Sequence, residues 1–532
     1  MKARLFWMTL LGILFSQDVD AKSTLQEFIR NQAEALVAGR TVMLAQEMLH
    51  CETLLPKYYQ RRGFEPAWNA VDREAFLEVL AKAEEEGLRG EDYHRKALQN
   101  LADTVVSARG EAIMEVLLTD AFLLYASHFL NGKVNPESVD SEWNAVRREG
   151  DPIQVLEQAL EAHDMGQVLD NLHPKYAGYN ALRKVLADYR RIQAAGGWGQ
   201  VEEGTRMLPG LVDSVRVPQL AHRLVVSKDL DAEFATTVEF SGPVVEAVKR
   251  FQARHGLDAV GEVGPQTLEA LNVSVEQRII QVRLNMERLR WINQNLGTHF
   301  VFVNIAAYEL QVFRGDSVTF LERVIVGKPY RKTPVFSGTM TYLVLNPYWG
   351  VPPTILFNDV LPAVKSDVGY LARKKIRVFR GGVEVDPSTI NWASLSSGNF
   401  PYTLRQDPGP LNALGQVKFM FPNTYNVYIH DTPSREMFQR TERAFSSGCI
   451  RLHNPLRFAE YVLQSDPRWS RSRIDQVIKE GKEQTVMLME PLPVHILYLT
   501  AWFQDGQVHF RKDLYDRDGA LQASLDEPAP KL

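Results

Sequence analysis

Residues 444 to 455 read AFSSGCIRLHNP and hold Cys449, one of only two cysteines in 532 residues. A thiol can be a small core side chain, half of a disulfide, a metal ligand or a nucleophile. Core cysteines usually sit inside periodic apolar runs, whereas Cys449 lies in a serine- and glycine-bearing segment where Gly448 permits close approach of another backbone or a substrate. A nucleophilic thiol needs a base, and His430 closes the alternating run VYIH nineteen residues earlier. Backbone amides of the Gly448–Cys449 segment could supply an oxyanion site. Two readings of the pair stand on the residues alone: Cys-His nucleophilic catalysis, or a buried cysteine and an exposed strand-end histidine.

Other chemistries fit less well. A zinc site from Cys449, His430 and His453 lacks a close ligand pair, and no HExxH occurs, so no metal is expected. The run VGKPYRKT contains Gly-Lys, but a phosphate-binding loop would need glycine where Glu322 stands. No cofactor is expected.

The elements that position these residues can be read outward from the site. Asn454 and Pro455 suit the N-cap and first position of a helix over PLRFAEYVLQ, placing Cys449 just ahead of it. From His299 the hydrophobic period is two, through HFVFVNIAAYELQVFRGDSVTFLERVIVG, TYLVLNPYWGV, VKFMFPNTYNVYIH, QTVMLM and VHILYLTAWF, so residues 297–493 read as a β-rich domain. A mixed segment at about 352–409 interrupts it as an insertion, and residues 494–532 read as a C-terminal hairpin and tail. Upstream, 22–199 is helical, with REAFLEVLAKAEEEGL and EAIMEVLLTDAFLLYASHFLNG closed by Gly87 and Gly132. Residues 200–273 form a small helical unit, and 274–296 a polar linker helix. The fold class is multidomain: α followed by mainly β.

The chain opens with Lys2 and Arg4, an apolar run from Leu5 to Phe15, and Val19-Asp20-Ala21, which reads as a signal peptide over 1–21. That run is shorter than the roughly 20 apolar residues of a membrane span. Export to the periplasm is the expectation, with no integral membrane segment after cleavage. Two cysteines about 400 positions apart are a poor disulfide framework for a chain that is 45% hydrophobic, although a Cys51–Cys449 bridge would silence any thiol chemistry. A net charge of -5 without a long basic run argues against nucleic acid as a partner.

Two segments carry a resemblance. PVVEAVKRFQARHGLDAVGEVGPQTLEALNV is similar to the three-helix peptidoglycan-binding domain at Ala247, Phe251, Gln252, His255-Gly256-Leu257, Gly261, Val263-Gly264, Thr267 and Leu271, departing from it at Val260, where many members carry Asp. His430, a spacer and Ser446-Ser447-Gly448-Cys449-Ile450-Arg451-Leu452 resemble the signature of the L,D-transpeptidase catalytic domain, with Ser447 where many members carry His and Asp431 where many carry Gly. VIVGKPYRKTPVFSG and LNPYWGVPPTI resemble strands that lead into that family's cleft, and KYYQRRGFEPAW, AEEEGLRGEDY and LLTDAFLLYASHFLNGKVNP resemble the scaffold domain of the large Gram-negative murein members. The whole chain resembles those members, with an insertion that caps the catalytic domain.

The resemblance implies that Cys449 attacks the carbonyl of the third residue of a tetrapeptide stem and expels D-alanine, with His430 as base. A side-chain amine of a neighbouring stem then resolves the thioester as a 3-3 crosslink. It places Tyr428, Ser447 and the amides of Gly448 and Cys449 around the oxyanion or substrate, and implies acylation by carbapenems. Arg451 either pairs with a substrate carboxylate or pins its own loop. Trp349 either stacks on substrate or fills the junction with the insertion. An L,D-carboxypeptidase or endopeptidase acting on the same stems, and an inactive wall-binding scaffold, are the alternatives. Peptidoglycan is the implied partner, and other cell-wall synthesis proteins are further candidates.

Overall fold

The helix Ala108–Asn131 organises the N-terminal third. Ser107 caps it by accepting from the Gly110 amide, and the apolar residues continue round every face. By length and composition it could cross a membrane, but 94% of that stretch is buried inside the protein, so it is the core helix of the scaffold. The structure, a computed structural model, describes residues 23–532 apart from 105–106, 146–147 and 149. The signal peptide read over 1–21 lies outside the described residues. Around the core helix pack Leu54–Arg61, Ala70–Ala81 and Pro152–Ala162, which bury Tyr58, Tyr59, Trp68 and Phe76 against it.

The small unit that follows has the three expected helices, Arg216–Val226, Gly242–Arg254 and Pro265–Leu271, around Leu220, Val248, Phe251 and Leu271. The helix Val275–Trp291, read as a polar linker, is instead buried at the centre of the molecule. A capping box between Ser274 and Gln277 starts it. Its charges are paired inside: Glu287 accepts from the Val134 amide, the Trp291 indole and the Arg290 guanidinium, and Arg290 also donates to Tyr179 Oη and the Glu86 carbonyl. A helix whose polar side chains are satisfied by three domains can be buried without hydrophobic periodicity.

The main sheet of the β-rich domain has nine strands among the described residues: β1 His299–Asn304, β2 Glu309–Arg314, β3 Ser317–Gly327, β4 Phe336–Leu345, β5 Val417–Met420, β6 Ile429–His430, β7 Ala444–Ser446, β8 Ile450–Leu452 and β9 Gln484–Leu497. The order is β7-β3-β8-β6-β5-β4-β9-β1-β2, and a further β3–β2 pairing closes the sheet on itself. β6 runs parallel to β8, β7 to β3 and β9 to β1, and the other pairs are antiparallel.

Two boundaries differ from the sequence reading. QTVMLM and VHILYL are one strand with an irregularity between Met487 and Leu492, so a limit at 493 cuts through β9, a central strand of the sheet. The C-terminal tail is also structured. After the hairpin Ala501–Gln504/Gln507–Phe510 comes the helix Asp518–Asp526, whose last turn is held by Lys133 Nζ donating to the Leu525 and Glu527 carbonyls. The Leu532 amide then donates to the His50 carbonyl, so the chain returns to the scaffold domain.

Between β4 and β5 the insertion builds its own four-stranded sheet, Trp349–Gly350, Thr403–Gln406, Ile376–Arg380 and Val383–Val385 in that order, and its own core around Leu356, Val364, Val378 and Trp392. It begins at Trp349, earlier than the 352 expected.

Candidate active site

Strand register decides which side chains can meet. β6 and β8 pair as Ile429↔Ile450 and His430↔Arg451, and β5 meets β6 as Lys418↔His430 and Phe419↔Ile429. Val417, Phe419, Ile429, Ile450 and Leu452 point into the core. Alternation therefore puts Lys418, Tyr428, His430, Cys449 and Arg451 together on the opposite face. Continuing the same registers, with Met420↔Tyr342 and Met487↔Tyr342, yields two adjacent rows. One row is basic: Lys418, His430 and Arg451. The other is apolar and ends on the thiol: Met487, Tyr342, Met420, Tyr428 and Cys449.

Cys449 is half-buried and unpaired, and Cys51, buried in the scaffold core, is free as well, so no disulfide silences the thiol. Burial raises the Cys449 thiol above its ordinary acidity range, while hydrogen bonds from Tyr428 and the charges of Lys418 and Arg451 pull the other way. The Sγ also lies 3.7 Å from the Asn426 carbonyl.

His430 is 5% exposed, and burial next to the charges of Arg451 and Lys418 depresses it to about 3, so the imidazole is neutral. Its Nδ1 donates to the Asp431 carbonyl, which leaves Nε2 as the basic nitrogen. A backbone carbonyl thus occupies the orienting position in place of a third side chain. His430 is a diagonal neighbour of Cys449 across the parallel pair, where Cα separations run about 7–8 Å, and among the described residues no His430–Cys449 hydrogen bond is formed. Such contacts are often long before substrate binds and tighten in the complex.

Asp431, a departure from the family pattern, has a structural task. Its buried carboxylate accepts from the Gln416 and Thr432 amides and from Arg435, tying the loop ahead of β5 to the loop that follows the histidine. Gly415 meets it with φ +59°, and a Cβ there would stand 2.3 Å from the carboxylate.

The segment Ser446 to Cys449 is braced from within. Ser446 Oγ donates to the Cys449 carbonyl at 2.6 Å and accepts from the Gly448 amide at 3.1 Å. The Gly448 N–H is therefore already spent, which corrects its expected place as an oxyanion donor. The Cys449 N–H has no partner among the described residues. Gly448 takes φ +113°, which favours glycine, with its ideal Cβ position 3.4 Å from the Lys332 carbonyl.

The remaining expected residues divide. Ser447 accepts from Arg331 Nη1 at 2.9 Å, and Arg331 pairs with Asp359 of the insertion at 2.6 Å. It links the segment that carries Cys449 to the insertion. Arg451 is half-buried beside Cys449, and its Nε is buried without a hydrogen-bond partner. Trp349 pairs with Gln406 and packs on the core of the insertion, the junction role of its two readings. Asn454 does begin the helix Pro455–Leu463, but its side chain donates to Glu322 and does not cap. Lys418 was not foreseen, nor was the bracing role of Ser446; Lys418 sits at a polar position of the alternating VKFMF, a signal shared with any solvent-facing strand residue.

Three segments of the chain match known protein families. Residues 298–478 match the family described as the L,D-transpeptidase catalytic domain, residues 229–271 the family described as "Putative peptidoglycan binding domain", and residues 53–186 the scaffold domain. A Haemophilus influenzae protein named "Putative L,D-transpeptidase" is 35% identical over 259 residues, 48% of this chain and 52% of that protein. The chain thus matches about half the length of that relative. The crystal structure of Mycobacterium tuberculosis L,D-transpeptidase 1 is similar at 14% identity over 38% of this chain and 61% of the other, with a TM-score of 0.14, too low to carry structural argument. The chain contains an L,D-transpeptidase catalytic domain, preceded by a scaffold domain and a peptidoglycan-binding domain.

Proposed function

We propose that this protein is a cysteine-dependent murein L,D-transpeptidase that joins peptidoglycan stem peptides by 3-3 crosslinks. The observation that carries the proposal is the shared face on which a free thiol, a neutral histidine and two cations meet. In the first step the Cys449 sulfur attacks the carbonyl of the third stem residue as its proton passes to His430 Nε2. The tetrahedral oxyanion is met by the Cys449 N–H. Collapse breaks the amide bond, and His430 returns the proton to the departing amine of D-alanine. In the second step a side-chain amine of a neighbouring stem attacks the thioester carbonyl, and its proton goes through His430 to the thiolate. The thiol is regenerated and one new amide bond is left.

Substrate would lie along the two rows. The Met487-Tyr342-Met420-Tyr428 lane suits the aliphatic part of a stem, and the Lys418-Arg451 row suits its carboxylates, with the unpartnered Arg451 Nε supporting the substrate reading of that residue. The insertion, tied to the nucleophile segment through Asp359 and Arg331, would exclude water in favour of the acceptor amine. Peptidoglycan as partner, and periplasmic action after export, belong to this proposal.

Disaccharide-tetrapeptide as sole donor and acceptor tests it. Intact-protein mass spectrometry should detect a thioester lost in Cys449→Ala, and product analysis should find free D-alanine with a dimer joined between third residues. Tripeptide monomer as the sole product would favour the L,D-carboxypeptidase. Absence of any adduct would sink the nucleophile.

A further inference from the structure

Two hydroxyls outside the face that carries Cys449 close a hydrogen-bond ring beneath it. Thr333 Oγ1 donates to the Gly448 carbonyl at 2.8 Å and accepts from the Gly327 amide at 2.9 Å. Tyr515 Oη donates to the Gly327 carbonyl at 2.7 Å and accepts from the Thr333 amide at 3.1 Å. Both side chains are buried, at 0% and 2% exposure, and each hydroxyl uses both its donor and an acceptor. The wrap is tight at Gly327, where a Cβ would stand 2.2 Å from the Arg331 carbonyl and 2.8 Å from the Thr333 amide.

The ring is anchored outside the catalytic domain. Two residues beyond Thr333, Val335 pairs with Trp143 of the scaffold: the Asn144 amide donates to the Val335 carbonyl at 2.7 Å and the Val335 amide to the Glu142 carbonyl at 2.9 Å. Arg517, two residues past Tyr515, holds Asp140 at 3.0 Å and Glu142 at 2.9 Å on the same scaffold segment. The scaffold domain therefore grips both ends of the brace.

The geometry of one peptide plane says what the brace does. In a trans peptide the C=O of residue i and the N–H of residue i+1 point in opposite directions. Fixing the Gly448 carbonyl inward on Thr333 therefore fixes the Cys449 N–H outward. That N–H has no partner among the described residues, whereas the Gly448 amide is taken by Ser446. We infer that Thr333 and Tyr515 are positioning residues that aim the Cys449 amide at the acyl oxyanion, and that the scaffold domain, through Val335 and Arg517, is what holds them in place. The inference rests on the acyl-transfer reading above.

The test uses full-length protein and two reactions of the same sulfur. Thioester formation from disaccharide-tetrapeptide develops an oxyanion, whereas alkylation by iodoacetamide displaces iodide and develops none. Thr333→Val keeps the shape and removes the hydroxyl. It should lower the acylation rate constant at saturating donor by about 10- to 100-fold, with KM and the alkylation rate within about twofold of wild type. Thr333→Ser should restore acylation to within about threefold. Tyr515→Phe should lower acylation in the same selective way but by less, and serves as the probe if Thr333→Val fails to fold, as judged by its thermal melt. Folded variants that acylate at the wild-type rate overturn the inference. So does an equal loss of acylation and alkylation, which would mean general disturbance of the thiol. Failure of wild-type protein to acylate would instead overturn the transpeptidase reading.

Discussion

Alkylation of Cys449 should climb about tenfold for each pH unit between pH 7 and 8, with no plateau below pH 7. An ordinary cysteine with pKa about 8.5 is roughly 3% thiolate at pH 7, and burial holds Cys449 above that range. Formation of a thiolate–imidazolium pair at rest would require His430 to keep a proton near neutrality. With His430 at about 3, the imidazolium is populated at roughly one part in 10⁴ at pH 7, because burial and the cations Lys418 and Arg451 oppose a further positive charge. The resting pair is neutral, and His430 takes the proton only as the sulfur attacks. The assay is second-order modification by iodoacetamide from pH 5 to 9, resolved by peptide mapping; Cys51, fully buried, is the internal control. Lys418→Met removes a charge that favours thiolate and should displace the profile to higher pH. A rate that is flat from pH 5 to 7 would mean a preformed ion pair and refute this account of the site.

Three other outcomes follow from the structure. Burial pushes His94 down, but hydrogen bonds to Asp120 and Glu47 hold it up at about 9. Its folded value lies above the ordinary 6.5, so its contribution, about 3 kcal/mol at most, is complete below pH 6.5 and lost as pH rises through 9; thermal melts should show wild type losing its advantage over His94→Gln in that window. Glu287→Ala leaves the fully buried Arg290 without its carboxylate and should destabilise by about 3–5 kcal/mol in denaturant unfolding, and a change under 1 kcal/mol would contradict the central role of that helix. Asp359→Ala frees the cap from Arg331 at a stability cost within about 1 kcal/mol, since Asp359 is 47% exposed, yet should raise the share of tripeptide over crosslinked dimer; an unchanged ratio would deny the cap a role in excluding water.

Local signals singled out the candidate residues but not their geometry. Cys449 stood out because a thiol in a Ser-Gly segment lacks an apolar period, and His430 because it ends an alternating run. Their common face depends on which strands are neighbours, and β6 and β8 are parallel partners across an intervening β7 that leaves to pair with β3. No spacing rule reports that crossover. The Gly448 amide was misjudged for a related reason: only a folded turn reveals that Ser446 reaches it first.

The linker helix shows where hydrophobic pattern stops being informative. Val275–Trp291 contains Arg278, Asn285, Glu287, Arg288 and Arg290, which on periodicity alone describes a solvated rod. It is buried because Glu287, Arg288 and Arg290 find partners in other domains: Val134 and Glu86 from the scaffold, Thr500 and Asp518 from the C-terminal segment. Desolvating those groups is unfavourable unless all partners arrive together, so the helix can be stable only in the assembled chain. On the proposal above the same condition governs Cys449, since Thr333 and Tyr515 are held by a scaffold segment and a C-terminal residue that the helix brings into register. On the inference above, isolating residues 297–493 would remove Tyr515, Arg517 and Trp143 together and leave Cys449, between β7 and β8, with an amide no longer aimed. The catalytic unit in the physical sense is therefore larger than the stretch whose sequence carries the catalytic signature.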